Sequence, residues 1–348
     1  MNNFFKSILL FTLVLTVVSC SKSDSSPEPL RDLVTQRDTD MTNIETYMHT
    51  HYITVVNNPG ATNDQDVTFT LIPTGGTQTS IWDDQTQYPL KTRMVKVRQN
   101  DIDVVYKIYY LELRQGTGAN SKSPCNADRV LTAYRGEYIY SSKVTAGTPP
   151  VDITTIISKQ FEESINPLYF NLTGVIRGWS EIFPQFKTGS YVGNPDGTIT
   201  YNDFGAGVMF IPSGLAYFSG AQGGIPSYSP LIFSFKLYEV QRTDQDVDGI
   251  YSYQEDLATS TVDSNGTVTV TTGPDGYVYV LPTGVANPDD TDGNGIPDFL
   301  DRDDDGDHFT TASEIKNPIT GLPYAFGDIP TCGGTGNGKK KYLDPTCH

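Results

Sequence analysis

The sequence predicts an α+β protein: an antiparallel sheet wrapped on a short helix, preceded by an extension and followed by an acidic region. Three observations carry this. Between about residues 130 and 240, aromatic and branched apolar residues stand one or two at a time among turn residues, which is how a chain lines a shallow apolar pocket. Gly (32), Pro (22) and Tyr (21) are plentiful while helical periodicity is scarce, a balance that favours strands and turns. Beyond Val240, Asp recurs at alternate positions around Gly, the spacing of oxygen ligands to calcium.

The 348 residues allow one sizeable domain and smaller ones. A net charge of −17 argues against nucleic acid, which rewards basic patches. Much of that charge sits in the last third of the chain, so it is a local device.

Residues 1–19 carry an address. Lys6 follows a polar start, Ile8 to Val18 is almost wholly apolar, and Val17-Val-Ser-Cys20 closes the run. This describes a secretory signal, too short for a comfortable transmembrane helix of ~20 apolar residues. A Cys after a small residue resembles a bacterial lipobox, which implies lipid on Cys20 and a membrane anchor. Residues 20–37 then read as a polar, Pro/Ser-rich tether. Ser21 rather than Asp after that Cys implies, by resemblance to bacterial sorting rules, the outer membrane of the cell envelope.

Residues 38–109 read as an extension docked on the domain C-terminal to it. Met41, Ile44, Tyr47 and Met48 have helical spacing, with Asp40 or Thr42 as the expected cap. His49 and His51 lack a visible third ligand and read as packing or surface residues. Val67–Ile72, Met94–Arg98 and Val104–Leu113 alternate as strands.

Residues 110–242 form the main domain. Val130–Tyr140, Gly207–Pro212 and Leu231–Val240 read as strands, the last with Leu231, Phe233, Phe235 and Leu237 facing inward. Val175–Phe186 reads as a short helix bearing Trp179, ended or kinked by Pro184. The stretch 130–240 contains no His and no plausible nucleophile dyad.

Several blocks of this domain, in order, resemble the FKBP-type peptidyl-prolyl cis-trans isomerases. They are Tyr134-Arg-Gly, Phe161-Glu-Glu-Ser, Val175-Ile-Arg-Gly-Trp179, Ile211-Pro with Leu-Ala-Tyr217, Gly224-Ile-Pro226 and Leu231-Ile-Phe233. The lipobox and long extension further resemble exported lipoprotein members from Bacteroidetes-like bacteria. The resemblance implies an FKBP-like sheet and isomerisation of X-Pro bonds in proline-containing exported polypeptides, with no cofactor for catalysis. It puts the pocket on Tyr134, Phe161, Glu162, Phe170, Val175, Ile176, Trp179, Tyr217, Ile225 and Phe233. Trp179 would be the floor, and the Tyr217 hydroxyl and Ile225 backbone N–H would be donors to substrate. Glu162 stands where the family usually has Asp, Leu168 where an aromatic often stands, and Phe218 where Gly commonly follows the pocket Tyr. The loop over residues 190–204 is longer than usual.

Residues 243–348 form the acidic tail. Asp244, Asp246, Asp248, Ser252 and Glu255, with Gly249 at the sixth position, have the spacing of an EF-hand calcium loop. Asp290, Asp292, Asn294, Asp298 and Asp301 repeat it, though Pro297 disfavours an ordinary EF helix. Asp301, Asp303, Asp305 and Asp307 come next, sharing Asp301, with Glu314 beyond. The run resembles thrombospondin type 3 repeats, which implies structural Ca2+. Between the first two loops, Thr/Val alternation around Asn265-Gly266 and Asp275-Gly276 predicts a pair of hairpins. Cys332 and Cys347 bracket a Gly- and Lys-rich loop. In an exported chain a bridge between them would be worth ~3 kcal/mol and leave Cys125 over; three unpaired thiols is the alternative.

Overall fold

A computed structural model describes residues 30–99, 101–146, 151–273, 280–333 and 338–347. Cys20 and the turn at Asp275-Gly276 lie outside the described residues. Asp32–His348 form one compact unit.

Helix α1 (Leu33–Thr50) begins earlier than its apolar spacing suggests, because Asp32 caps it by accepting from the Thr35 N–H at 2.8 Å. Asp40, expected at the cap, instead lies buried mid-helix. Strands β1 (His51–Val55) and β2 (Val67–Leu71) form a separate antiparallel hairpin.

The main sheet has six strands: β3 (Leu90–Gln99), β4 (Ile102–Arg114), β5 (Arg129–Ala146), β6 (Val151–Asn171), β9 (Gly205–Ile211) and β10 (Leu231–Gln241). Their order is β3-β4-β9-β10-β5-β6, and every pairing is antiparallel. The expected boundary at 109/110 falls inside β4, so the extension supplies one edge of the sheet rather than a separate layer. A small ribbon of β7 (Ser190–Gly193) and β8 (Ile199–Asn202) occupies the long loop.

Both faces of the sheet are covered. On one face, Trp179 and Ile182 of helix α2 (Arg177–Ile182) and Phe183 just after it pack against Tyr134, Phe233 and Phe235. On the other, Ile44, Tyr47 and Met48 of α1 pack with Val208, Phe210 and Ile232. All seven residues of β9 are therefore buried, and its apolar run is continuous rather than alternating. Gly178 permits the close approach of α2, since a Cβ there would lie 2.6 Å from the Ile211 side chain.

The tail adds α3 (Ser252–Glu255), the hairpin β11 (Ala258–Val262) and β12 (Val268–Thr272), and α4 (Thr311–Glu314). It is fastened to the main domain near residue 125. Phe299 packs on the buried thiol residue Cys125 and on Ala127, while Gln245 Nε2 and Thr243 Oγ1 donate to the Ala127 carbonyl at 2.7 and 2.9 Å. Cys332 and Cys347 are joined, their Cα atoms 5.8 Å apart.

Candidate functional site

The sheet face under α2 carries a recess of about 360 Å³. Eight of the ten expected residues line it: Tyr134, Glu162, Phe170, Val175, Ile176, Trp179, Tyr217 and Phe233, with Gly174 and Gln222 completing the wall. Trp179 is the floor, 4% exposed. Its ring meets Tyr134 at 5.1 Å, Phe170 at 5.4 Å and Phe233 at 5.2 Å, each edge-on, which is the favoured aromatic geometry. Its indole N–H is buried without a hydrogen-bond partner.

Each wall residue is placed by local structure. The Glu181 carboxylate bridges Arg177 Nε and Arg93 Nε on β3, both at 2.8 Å, which fixes α2 against the sheet. Ser180 Oγ donates to the Leu172 carbonyl at 2.6 Å and ties the helix to the turn carrying Gly174. The β5–β6 register shifts at Gly136/Glu137, leaving Phe161 as the extra residue of a bulge. Phe161 thereby packs edge-on against Phe233, at 5.7 Å, behind the wall rather than in it. Gly136 makes room, because a Cβ there would lie 2.5 Å from the Phe161 ring.

Tyr217 sits just after a turn of 3-10 helix, Ser213–Leu215. Asp40 of α1 holds that turn by accepting from Ser213 N at 2.7 Å and Ser213 Oγ at 2.6 Å. Burial, then the nearby Glu162 carboxylate, pushes the Tyr217 hydroxyl up, and the same two causes in the same order push Tyr134 up. Both phenols therefore stay neutral at neutral pH, the Tyr134 hydroxyl bonded to Glu162 and the Tyr217 hydroxyl beside it.

Ile225 departs from its expected role. Its side chain is buried, and its N–H donates to the Gln222 carbonyl at 2.8 Å inside a tight turn through Gly223 and Gly224. That amide is already engaged, so the donors facing the recess are side chains. Gln222, which lines the wall, was unmarked in the sequence because a Gln between Ala221 and the Gly223-Gly224 pair reads as an ordinary turn residue. Phe218 has φ +46°, the left-handed region where glycine is favoured, and packs on Tyr228 at 5.1 Å.

The acidic loops share one backbone pattern. The N–H of Gly249, Gly295 and His308 donates to Asp244, Asp290 and Asp303, each five residues earlier. The N–H of Ser252, Asp298 and Thr311 donates to the carbonyl nine residues earlier. The third loop therefore runs 303–314 in this register. It starts at Asp303 rather than sharing Asp301, and His308, at φ +78°, takes the place of the turn glycine.

Among the described residues, two carboxylate groups converge. Asp246, Asp248 and Glu255 meet Asp304, all four buried, with ligand oxygens within 4.8 Å of one another. Asp303, Asp305 and Asp307 form the second group. Asp244 is spent on backbone N–H groups, and the Ser252 Oγ accepts from Gln245 N. In the second loop the Asn294 amide bridges Asp292 and Asp301, and Asp298 accepts from Thr291, so those acids do not converge. Asp304 lies outside the alternate spacing, and only the fold reveals it.

Burial and then neighbouring charge push Glu255 up to about 11 and Asp304 up to about 10. Such oxygens, buried and unpartnered, are the donor set a hard divalent cation needs, so the residues present fit Ca2+.

An antiparallel sheet is packed on a short helix, with an aromatic-floored recess between them. The comparisons with known proteins cover part of the chain. It is 27% identical over 148 residues to the FKBP-type peptidyl-prolyl cis-trans isomerase FkpA of Escherichia coli K12, covering 42% of this chain and 40% of that protein. FkpA of Escherichia coli O157:H7 matches with the same figures. The chain thus spans less than half the length of the curated relatives it matches.

Among solved structures, a peptidyl-prolyl cis-trans isomerase from Pseudomonas syringae pv. tomato is 26% identical over 39% of this chain and 76% of its own, with a TM-score of 0.26. The crystal structure of FkpA from Escherichia coli is also 26% identical, over 38% of this chain and 48% of its own, with a TM-score of 0.26. Residues 245–339 match a family model described as BamM C-terminal.

Proposed function

We propose that this chain is a peptidyl-prolyl cis-trans isomerase of the FKBP type, anchored through lipid on Cys20 in the bacterial cell envelope, on the outer membrane. Its substrates are proline-containing exported polypeptides. The observation that carries the reading is the ring cage on Trp179, closed by Tyr134, Phe170 and Phe233 and opening beside Tyr217.

The chemistry asked of such a site is small. Rotation about X-Pro is slow because twisting breaks amide resonance, a barrier of ~18–20 kcal/mol. The twisted amide carries less charge on its oxygen than the planar one. A dry aromatic cage accepts that species better than the ground state, which is catalysis by differential binding. The neutral Tyr217 hydroxyl offers a hydrogen bond that orients a peptide carbonyl, while the Tyr134 hydroxyl is bonded to Glu162 and fixes that side of the recess. No proton transfer or covalent step is required.

Ca2+ in the acidic loops is structural in this reading. It neutralises carboxylates that would otherwise repel one another, with the ~10⁻⁴–10⁻³ M affinities of extracellular modules.

A second reading, a polypeptide-binding module without turnover, is favoured by one observation: the Ile225 amide is engaged at Gln222 and offers the substrate nothing. Tyr217→Phe and Trp179→Ala, assayed separately for turnover and for binding of a proline peptide, divide the two. An isomerase loses turnover by more than it loses binding. A binding module has no turnover to lose.

A further inference from the structure

The first and third acidic loops are far apart in sequence but meet in the fold. Arg302 Nε donates to the backbone oxygen of Asp246 at 2.9 Å, and beside that contact Asp304 turns into the first loop. Asp304 is 1% exposed, Glu255 2%, Asp248 4% and Asp246 5%. Both carboxylate oxygens of Asp246, Glu255 and Asp304 are buried without a hydrogen-bond partner. Four buried carboxylates facing one another are not a stable apolar core, because an unpaired buried charge is costly.

We propose that Asp246, Asp248 and Glu255 of the first loop and Asp304 of the third hold one calcium ion between them, so that the ion staples the two ends of the acidic region. The inference rests on the calcium reading of the tail and adds a ligand from outside the loop. The donor set is all carboxylate oxygen, which selects a hard cation. Calcium–oxygen distances of 2.3–2.6 Å place opposed ligands at most about 5 Å apart, and these oxygens lie within 4.8 Å of one another. Mg2+ suits the site less well, because it prefers to keep several waters. An ion shared by Asp246 and Asp304 closes the long segment between them, which contains the β11–β12 hairpin and the second loop. Clips that close long loops gain the most from the entropy they remove from the unfolded chain.

The test is calcium titration by calorimetry, with thermal unfolding in calcium and in chelator, on the full chain and on Asp304→Asn, Glu255→Gln and the double variant. Asp304→Asn should weaken one ion by about tenfold or more, and the double variant should lose little beyond the worse single change. In chelator Asp304→Asn should melt at or above the wild-type temperature, because a neutral amide escapes the cost of burying a carboxyl among other carboxyls, while its calcium-induced rise should shrink.

Wild-type affinity and stoichiometry in Asp304→Asn would confine the ion to the first loop and overturn the proposal. Equal losses of melting temperature in calcium and in chelator would make Asp304 a packing residue and also overturn it. No calcium bound by the wild-type chain would remove the calcium reading of the tail together with this inference.

Discussion

The carboxylate of Asp40, on the first helix, accepts two hydrogen bonds from Ser213, 2.7 Å from its backbone nitrogen and 2.6 Å from its hydroxyl. This couples the extension to the turn that delivers Tyr217 into the recess. The nearby Tyr106 hydroxyl is pushed up to about 12, by burial first and by the Asp40 charge second. Replacing Asp40 by Ala would take the acceptor from both Ser213 donors and from Gln36 Nε2, which donates to it at 2.6 Å, at about 1–3 kcal/mol for each donor left unpaired. Urea unfolding should show a loss in that range. Turnover should fall through a less ordered Tyr217, with the Trp179 floor intact. Wild-type stability in Asp40→Ala would show that the extension does not hold this turn.

Trp179 and Tyr217 should separate structure from chemistry. Trp179→Ala removes the centre of the ring cluster and should cost about 3–5 kcal/mol, abolishing turnover with it. Tyr217→Phe removes only a hydroxyl at the rim and should leave the melting temperature nearly unchanged while lowering turnover. Equal turnover in Tyr217→Phe and wild type would remove Tyr217 from the orienting role.

Phe218 tests a trade between strain and burial. Its left-handed backbone costs about 1–2 kcal/mol, while its ring gains contact with Tyr228. Phe218→Gly relieves the strain and loses the contact, so its stability should stay within about 1 kcal/mol of wild type. Phe218→Ala keeps the strain and loses the contact, and should be clearly worse than Phe218→Gly. Chemical denaturation of the two variants reads the order directly.

Much of this architecture was legible in the sequence where one face of a strand is buried and alternation survives. The first half of β4 is of that kind, whereas β5 over Val130–Ile139 and β10 are buried almost continuously and showed instead as dense apolar and aromatic runs. Strand β6 was not legible, because an edge strand rich in Thr, Ser, Gln and Glu buries too little to show a period. Helix α1 was read only in its second half, since its buried stripe runs Leu33, Gln36, Asp40, Ile44 and so places two polar residues where apolar ones would mark a helix. The residues that line the recess were readable because they stand in the blocks that resemble the FKBP-type isomerases. The use of the Ile225 amide inside its own turn was not, because a backbone hydrogen bond leaves no compositional trace. Alternate Asp spacing exposed the loops, but the third loop's register, with His308 in place of a glycine, and the reach of Asp304 into the first loop arise only from tertiary contact.

The tail predicts opposite pH responses with and without calcium. Burial and neighbouring charge push Asp248 and Asp305 up to about 6 and Glu314 up to about 8. A carboxylate whose folded value is raised binds its proton more tightly in the folded state, so stability is full below about pH 4 and is lost as pH rises through the folded values. In chelator, the melting temperature of the tail should therefore fall between about pH 4 and about pH 8. In millimolar calcium the ion favours the ionised form, and the melting temperature should rise with pH across the same window. A parallel fall in both conditions would contradict the calcium assignment.

The central claim is turnover at the Trp179 recess. The most direct measurement is a protease-coupled isomerisation assay on a Leu-Pro or Phe-Pro peptide, with folded protein, in calcium and in chelator. The account predicts catalysis in calcium above the uncatalysed rate, reduced in Tyr217→Phe and absent in Trp179→Ala. A folded wild-type chain that leaves the uncatalysed rate unchanged would contradict it and leave a polypeptide-binding module in its place.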